Sequence, residues 1–127
     1  MPLAARPNAA TTVDRAPTAP LNGRVTDPLL RLQTRIAARA DAAADTSYTA
    51  SLLARGPAHA ARKFGEEAIE LVLAGAGESR EAVLAEAADV LYHLAVLLRA
   101  RDVSVAEVAT ELERREARSG LEEKRSR

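Results

Sequence analysis

The sequence contains no cysteine and no tryptophan, and only 2% of its 127 residues are aromatic. The absence of cysteine excludes a disulfide framework and thiolate chemistry. A core without large aromatic side chains must be built from alanine, leucine, valine and isoleucine, which suit closely packed helices better than sheets. The formal net charge is zero, which argues against a protein whose main function is to bind a nucleic-acid backbone.

Long hydrophobic runs are also missing, since no stretch of about 18 apolar residues occurs and the first residues contain no continuous apolar segment. We therefore expect a soluble, cytoplasmic protein with one domain and a modest core. Residues 1–28 contain five of the six prolines and show no periodicity. This composition predicts a disordered extension over residues 1–27 rather than a transit peptide. We assign the helical domain to residues 28–118 and a charged tail to 119–127.

Apolar periodicity and capping residues predict five helices and no strand. Asp27-Pro28 is a favourable helix start, Gly56-Pro57 separates two helices, and Ser104 with Glu107 has the spacing of a capping box. The fold class is therefore all-α, an antiparallel helical bundle. The helices are predicted at residues 28–44, from 47 or 48 to 54, at 57–74, at 79–101, and from 104 into the charged tail. In the third predicted helix, the residues expected to face the core are Phe64, Ala68, Leu71 and Val72.

Four carboxylates occur as two helical pairs, Glu67 with Glu70 and Glu86 with Asp89. A spacing of three residues places both members of a pair on one side of a helix, about one turn apart. Each pair alone is common on a solvated surface, and Arg62 and Lys63 could neutralise acids near the first pair. The second pair differs, because residues 82–98 are almost entirely alanine, valine and leucine, which predicts a helix buried on all sides. Buried carboxylates require a source of positive charge.

The short connection at residues 75–79 makes the third and fourth helices antiparallel neighbours. Glu70 lies roughly 10 Å before the turn and Glu86 roughly 13 Å after it, at a rise of about 1.5 Å per residue. The two pairs can therefore face each other across the hairpin. Oxygen ligands favour Mg²⁺, with Mn²⁺ possible. A di-iron centre is the alternative, but neither His59 nor His93 follows a glutamate by three residues, as that pattern requires.

Three segments resemble one known family. They are Ser47-Tyr48-Thr49-Ala50, Lys63-Phe64-Gly65-Glu66-Glu67-Ala68 continuing to Glu70, and Glu86-Ala87-Ala88-Asp89-Val90-Leu91-Tyr92-His93. The sequence from about Leu29 to Arg115 resembles the phosphoribosyl-ATP pyrophosphohydrolases of histidine biosynthesis, which belong to the all-α, MazG-like superfamily of NTP pyrophosphohydrolases. The acidic elements are shared across the superfamily, whereas the Ser-Tyr-Thr segment and the Tyr-His pair are more specific to the histidine-pathway branch.

The resemblance implies Mg²⁺-dependent hydrolysis of 1-(5-phosphoribosyl)-ATP to phosphoribosyl-AMP and pyrophosphate by a homodimer, with no nucleic-acid or membrane partner. It implies Glu66 as an outer ligand or base and Lys63 as a phosphate contact. The metal ligands would be Glu67, Glu70, Glu86 and Asp89. The substrate-binding residues would be Ser47, Tyr48, Thr49, Arg55, Lys63 and His93.

Two further hypotheses stay open from the sequence. The first is a related house-cleaning enzyme that hydrolyses aberrant nucleoside triphosphates. The second is a non-catalytic helical module that binds a metal or a partner. Dimerisation is also predicted from the fourth helix, because three short neighbours in one small subunit cannot cover a helix that is apolar on every side.

Overall fold

Five α-helices make up the computed structural model, which describes residues 26–118 and residue 125. They are α1 (Thr26–Arg39), α2 (Tyr48–Ala54), α3 (Pro57–Gly77), α4 (Arg80–Ala100) and α5 (Val105–Glu116). No strand occurs within this described part, so the all-α prediction is confirmed. The predicted extension over residues 1–27 and the tail after Arg118 lie almost entirely outside the described residues.

The helix ends follow the capping chemistry of the sequence at α4 and α5. The Ser79 side chain accepts a hydrogen bond from the Ala82 backbone N–H, at 3.1 Å. Ser104 and Glu107 form the predicted capping box, in which each side chain accepts a hydrogen bond from the other residue's backbone N–H. These bonds satisfy backbone donors that have no partner within the first turn of a helix.

The first helix differs from its prediction at both ends. It begins at Thr26 rather than Pro28 and ends at Arg39 instead of continuing to Ala44. Residues 40–46 form turns, with hydrogen bonds such as the one that the Ala42 N–H donates to the Arg39 carbonyl. Alanine favours a helix, but this stretch offers no large apolar side chain for packing, and packing supplies most of the stability of a short helix.

The core lies where α1, α2, the start of α3 and the second half of α4 meet. Its buried residues are small or aliphatic, as the composition predicts: Ile36, Leu52, Ala60, Ala95 and Val96. The rest of α3 and the first half of α4 form an antiparallel hairpin that extends beyond this core. None of the described helices is long and apolar enough to cross a membrane.

The prediction that α4 is buried on all sides is wrong for the single chain. Its buried residues, His93, Ala95 and Val96, all lie in its second half. Leu84, in the first half, is 55% exposed. Val72 was likewise predicted to face the core from α3, yet it is 68% exposed.

Candidate active site

The two acidic pairs meet across the α3–α4 hairpin. Helix α3 continues to Gly77, so only Glu78 and Ser79 separate the two helices. This short connection sets the two helices side by side and places Glu70 level with Glu86. Carboxylate oxygens of Glu67, Glu70 and Glu86 all lie within 4.8 Å of one another. Three carboxylates at this separation form a group that can hold a metal ion.

Asp89, the fourth predicted ligand, is exposed and lies outside this group of three. Its charge nevertheless acts on the cluster and contributes to the raised pKa values of Glu67 and Glu86. Asp89 therefore stands at the rim of the cluster, near enough to act on two of its members. Its role as a ligand stays a prediction.

The cluster is electrostatically strained when it holds only carboxylates. Burial raises the pKa of Glu67, and the charge of Glu70 raises it further. Burial also raises the pKa of Glu86, and the charge of Glu70 raises it further. Both shifts express the cost of placing like charges together in a partly desolvated site. A divalent cation would offset that cost directly.

One oxygen of the cluster supports this interpretation independently of charge. Among the described residues, Glu86 Oε2 is the only buried side-chain nitrogen or oxygen atom without a hydrogen-bond partner. Buried polar atoms are almost always paired, and an exception calls for a specific explanation such as a bound ion. The donor set is made only of carboxylate oxygens, which is the chemistry that Mg²⁺ and Mn²⁺ prefer. The residues present therefore fit a hard divalent cation.

Lys63 and Glu66, the predicted catalytic residues, form an ion pair one turn before the cluster. Lys63 Nζ lies 3.0 Å from Glu66 Oε2, while Arg62 approaches the same carboxylate at 4.0 Å. Their hydrogen bond raises the pKa of Lys63 and lowers that of Glu66. Glu66 thus pairs with these cations and is not part of the group of three clustered acids.

A group of positive charges surrounds the start of α3. Burial lowers the pKa of His59, and the neighbouring charges of Arg55, Arg62 and Lys63 lower it further. Arg55 was predicted as a substrate contact, and it is exposed at the C-terminal cap of α2. Positive charge is therefore concentrated at the start of α3, which precedes the clustered carboxylates in the chain.

His93 and two tyrosines connect the carboxylates to α2. His93 is buried, and its Nε2 lies 3.7 Å from Glu67 Oε1. Its ring is edge-on to both tyrosines, with centroid distances of 6.1 Å to Tyr48 and 5.1 Å to Tyr92. The Tyr48 ring stacks on Tyr92 at 6.3 Å and is 57% exposed. It therefore presents an aromatic surface beside the acidic cluster.

The remaining predicted residues of the Ser-Tyr-Thr segment contribute mainly to its structure. Ser47 caps α2, since its Oγ accepts a hydrogen bond from the Ala50 N–H. Thr49 is buried, and its hydroxyl forms a 2.6 Å hydrogen bond with the Tyr92 hydroxyl. Tyr92 was not among the predicted site residues. Its position next to His93 was visible in the sequence, but its contact with α2 depends on the fold.

Comparisons with known proteins agree with this geometry. Residues 29–116 match the family described as phosphoribosyl-ATP pyrophosphohydrolase. The chain is 57% identical over 99 residues to a phosphoribosyl-ATP pyrophosphatase of Dinoroseobacter shibae, covering 78% of this chain and 97% of that protein. Proteins of the same name from Paracoccus denitrificans and Azorhizobium caulinodans are each 54% identical over 99 residues. These alignments cover 78% of this chain and, in that order, 92% and 91% of those two proteins.

Proposed function

Because the chain belongs to the phosphoribosyl-ATP pyrophosphohydrolase family, we propose that it hydrolyses 1-(5-phosphoribosyl)-ATP between its α and β phosphates. The products are phosphoribosyl-AMP and pyrophosphate, in the second step of histidine biosynthesis. The observation that carries the proposal is the carboxylate group of Glu67, Glu70 and Glu86, with its unpartnered buried oxygen. A cytoplasmic location accords with a biosynthetic role and with the absence of cysteine.

Glu67, Glu70 and Glu86 would hold Mg²⁺, with Mn²⁺ as the alternative and Asp89 completing the set from the rim. When bound there, Mg²⁺ would supply positive charge that offsets the negative charge developing on the phosphates, and would help to orient a water molecule for attack. Pyrophosphohydrolysis needs little covalent participation by the protein, so positioning and electrostatics account for most of its catalysis. A carboxylate cluster on a rigid hairpin fits that requirement.

Lys63 and Glu66 would act together near the attacking water. In the free protein their hydrogen bond holds the pKa of Glu66 below its ordinary value, which makes this carboxylate a weak base. When the Lys63 ammonium turns to a phosphate oxygen, Glu66 loses that partner and its pKa rises. The carboxylate then accepts a proton more readily from the attacking water.

Tyr48 and His93 would border the substrate on the side of α2. The exposed ring of Tyr48 offers a stacking surface for a purine, since it is held in place by Tyr92 beneath it. Arg55 lies at the end of α2 and adds positive charge for the phosphates. Ser47 and Thr49 would act by fixing the backbone and the orientation of this segment.

A second copy of the chain would cover the exposed apolar face of the hairpin. Ile69, Val72 and Leu73 lie on one side of α3 and are each more than 60% exposed. Leu84 and Leu91 on α4 are 55% and 43% exposed. An exposed set of large apolar side chains is typical of a protein interface. A homodimer built on α3 and α4 would bury both helices, in agreement with the apolar sequence of α4.

Pyrophosphate release is the direct test of the proposed activity. The purified protein is assayed with phosphoribosyl-ATP and with a panel of ordinary nucleoside triphosphates, each with Mg²⁺ and with EDTA. We expect turnover of phosphoribosyl-ATP only with Mg²⁺ and at a kcat/KM far above that of the other nucleotides. Equal turnover of the whole panel would favour a house-cleaning enzyme. If no nucleotide released pyrophosphate, the result would favour the hypothesis of a non-catalytic module that binds a metal or a partner.

A further inference from the structure

A small cavity of about 190 Å³ lies between α1, α2 and α4, away from the α3 side of the carboxylate cluster. Its lining residues are Leu32, Arg35, Ile36, Arg39, Thr49 and Tyr92. Tyr92 connects it to the candidate active site, because this residue lines the cavity together with Thr49 while its ring stacks on Tyr48. A ligand on Tyr48 could therefore extend past Tyr92 into this cavity.

The two arginines give the cavity a local positive charge in a protein with a net charge of zero. Arg35 and Arg39 lie four residues apart on α1, so their side chains leave the same side of the helix one turn apart. Like charges at this spacing repel each other. Within residues 26–118, neither guanidinium forms an ion pair with an acid. An anion in the cavity would compensate both.

The hydroxyls of Thr49 and Tyr92, two of the lining residues, can supply a hydrogen-bond donor for such an anion. Thr49 and Tyr92 have one hydroxyl hydrogen each, and their mutual 2.6 Å hydrogen bond uses only one of them. The other hydrogen remains for an acceptor in the cavity. Two guanidinium groups and a hydroxyl donor in a cavity that Leu32 and Ile36 also line make a set suited to a phosphate group.

We propose that this cavity binds the 5′-phosphate of the phosphoribosyl group, which phosphoribosyl-ATP carries and ATP lacks, and that Arg35 and Arg39 determine the specificity for it. The inference rests on the proposed function. The triphosphate would lie at the carboxylates and the purine on Tyr48, while the monoester at the opposite end of the substrate enters the cavity. The arginines discriminate between nucleotides without contacting the reacting phosphates.

Binding of the product in EDTA tests this assignment without metal or turnover. Isothermal titration measures the affinity for phosphoribosyl-AMP and for AMP, which differ by the phosphoribosyl group. The variants are Arg35→Gln and Arg39→Gln, which keep most of the side-chain length and remove the charge. The matched control is Arg31→Gln, one turn earlier on α1 and exposed but not part of the cavity. Circular dichroism confirms that each variant retains its helices.

We expect the wild type to bind phosphoribosyl-AMP at least about tenfold more tightly than AMP. Either cavity variant should lose about tenfold or more in affinity for phosphoribosyl-AMP while its affinity for AMP changes less than about twofold. Arg31→Gln should leave both affinities unchanged. A wild type without preference would overturn the assignment, and so would cavity variants that keep the preference. Equal losses for both nucleotides would also overturn it, by indicating a general attraction of anions.

These outcomes are separate from failure of the proposed function. That function fails if the wild type with Mg²⁺ releases no pyrophosphate from phosphoribosyl-ATP. A wild type that hydrolyses phosphoribosyl-ATP selectively, alongside cavity variants with unchanged selectivity, would refute the cavity alone. In the supporting case, the variants raise KM for phosphoribosyl-ATP about tenfold and leave kcat within a few-fold.

Discussion

Glu70→Gln is the most informative change in the carboxylate cluster, because the Glu70 side chain interacts with both Glu67 and Glu86. Without metal, the substitution removes one negative charge from a group of three and introduces an amide that can donate to its neighbours. We therefore expect the metal-free variant to be at least as stable as the wild type. With Mg²⁺, the same substitution removes a ligand, so the sign of its effect on stability should reverse.

The expected magnitude follows from the linkage between binding and folding. A ligand at 100 times its Kd raises the free energy of unfolding by about 2.7 kcal/mol. For a domain of 60–100 residues, 1 kcal/mol corresponds to a change in Tm of about 4–8 °C, so Mg²⁺ should raise the wild-type Tm by about 10–20 °C. If the substitution weakens Mg²⁺ binding about 100-fold, the same concentration stabilises the variant by only about 0.4 kcal/mol. The corresponding shift in Tm is about 2–3 °C.

Two measurements check this prediction together. Thermal unfolding with Mg²⁺ and with EDTA gives the metal-dependent shift, and pyrophosphate release from phosphoribosyl-ATP gives the activity. We expect kcat/KM to fall by a factor of about 100 or more, because the metal provides several kcal/mol of transition-state stabilisation. Glu113→Gln is the control, since Glu113 is an exposed acid on α5 and lies outside the carboxylate group. This control should match the wild type in both measurements.

Three results would refute the reasoning. If Mg²⁺ raised the Tm of Glu70→Gln and the wild type equally, Glu70 would not hold the metal. If the variant retained near-normal kcat/KM, the metal site would lie elsewhere or would not serve the reaction. A variant that lost activity but unfolded at much lower temperature without metal would indicate a structural role for Glu70 and contradict the repulsion inferred from the cluster.

Three other predictions use the same structure. Val72→Asp should convert the proposed dimer to a monomer in sedimentation, whereas the control Leu112→Asp, at an exposed position on α5, should leave the dimer intact. If Val72→Asp remained a dimer, this face of α3 would not be the dimer interface. Gly56→Ala should lower the free energy of unfolding by about 1–3 kcal/mol, because the backbone φ angle at Gly56 is +88°. Gly65→Ala should raise the free energy of unfolding by about 0.5–1 kcal/mol, because Gly65 lies in the interior of α3 and has space for a Cβ. Denaturant titration that showed the reverse order of stability would contradict both expectations. Burial and Glu70 raise the folded-state pKa of Glu86 above 4.5, so this carboxyl stabilises the metal-free protein at low pH, and that contribution is lost as the pH rises through the folded pKa. In EDTA, the amount by which the Tm of Glu86→Gln exceeds that of the wild type should therefore be smallest near pH 4.5 and should grow with pH. A difference in Tm that stays constant with pH would be inconsistent with the raised pKa.

The helices were predictable where the sequence carries a local signal for their ends. Ser79, Ser104 and Glu107 cap α4 and α5 as expected, because a cap depends only on residues within one turn. The end of α1 was not predictable from propensity, since the alanine-rich residues 40–44 can form a helix but offer no large apolar side chain for packing. Local signals thus determine a helix start more reliably than the length of a helix.

The carboxylate group was predictable because its geometry depends on helical rise and one short connection. The structure brings Glu67, Glu70 and Glu86 together on this basis, while Asp89 lies outside the group. The apolar composition of α4 did not predict its exposure in the single chain, because composition does not specify which surface covers it. The contact between Tyr92 and Thr49 joins residues 43 positions apart, and no local pattern encodes such a pair.

Because only two residues connect α3 to α4, the number of residues between Glu70 and Glu86 determines whether their carboxylates lie side by side. One residue inserted between Glu70 and Glu86 within either helix would rotate one carboxylate by about 100° and translate it by about 1.5 Å relative to the other. A connection of two residues is too short to compensate for this change. The turns at residues 40–46, in contrast, could accommodate extra residues without moving the carboxylates. Over evolutionary time, insertions and deletions should accumulate before α2 and be eliminated between Glu67 and Asp89, even where substitutions are tolerated.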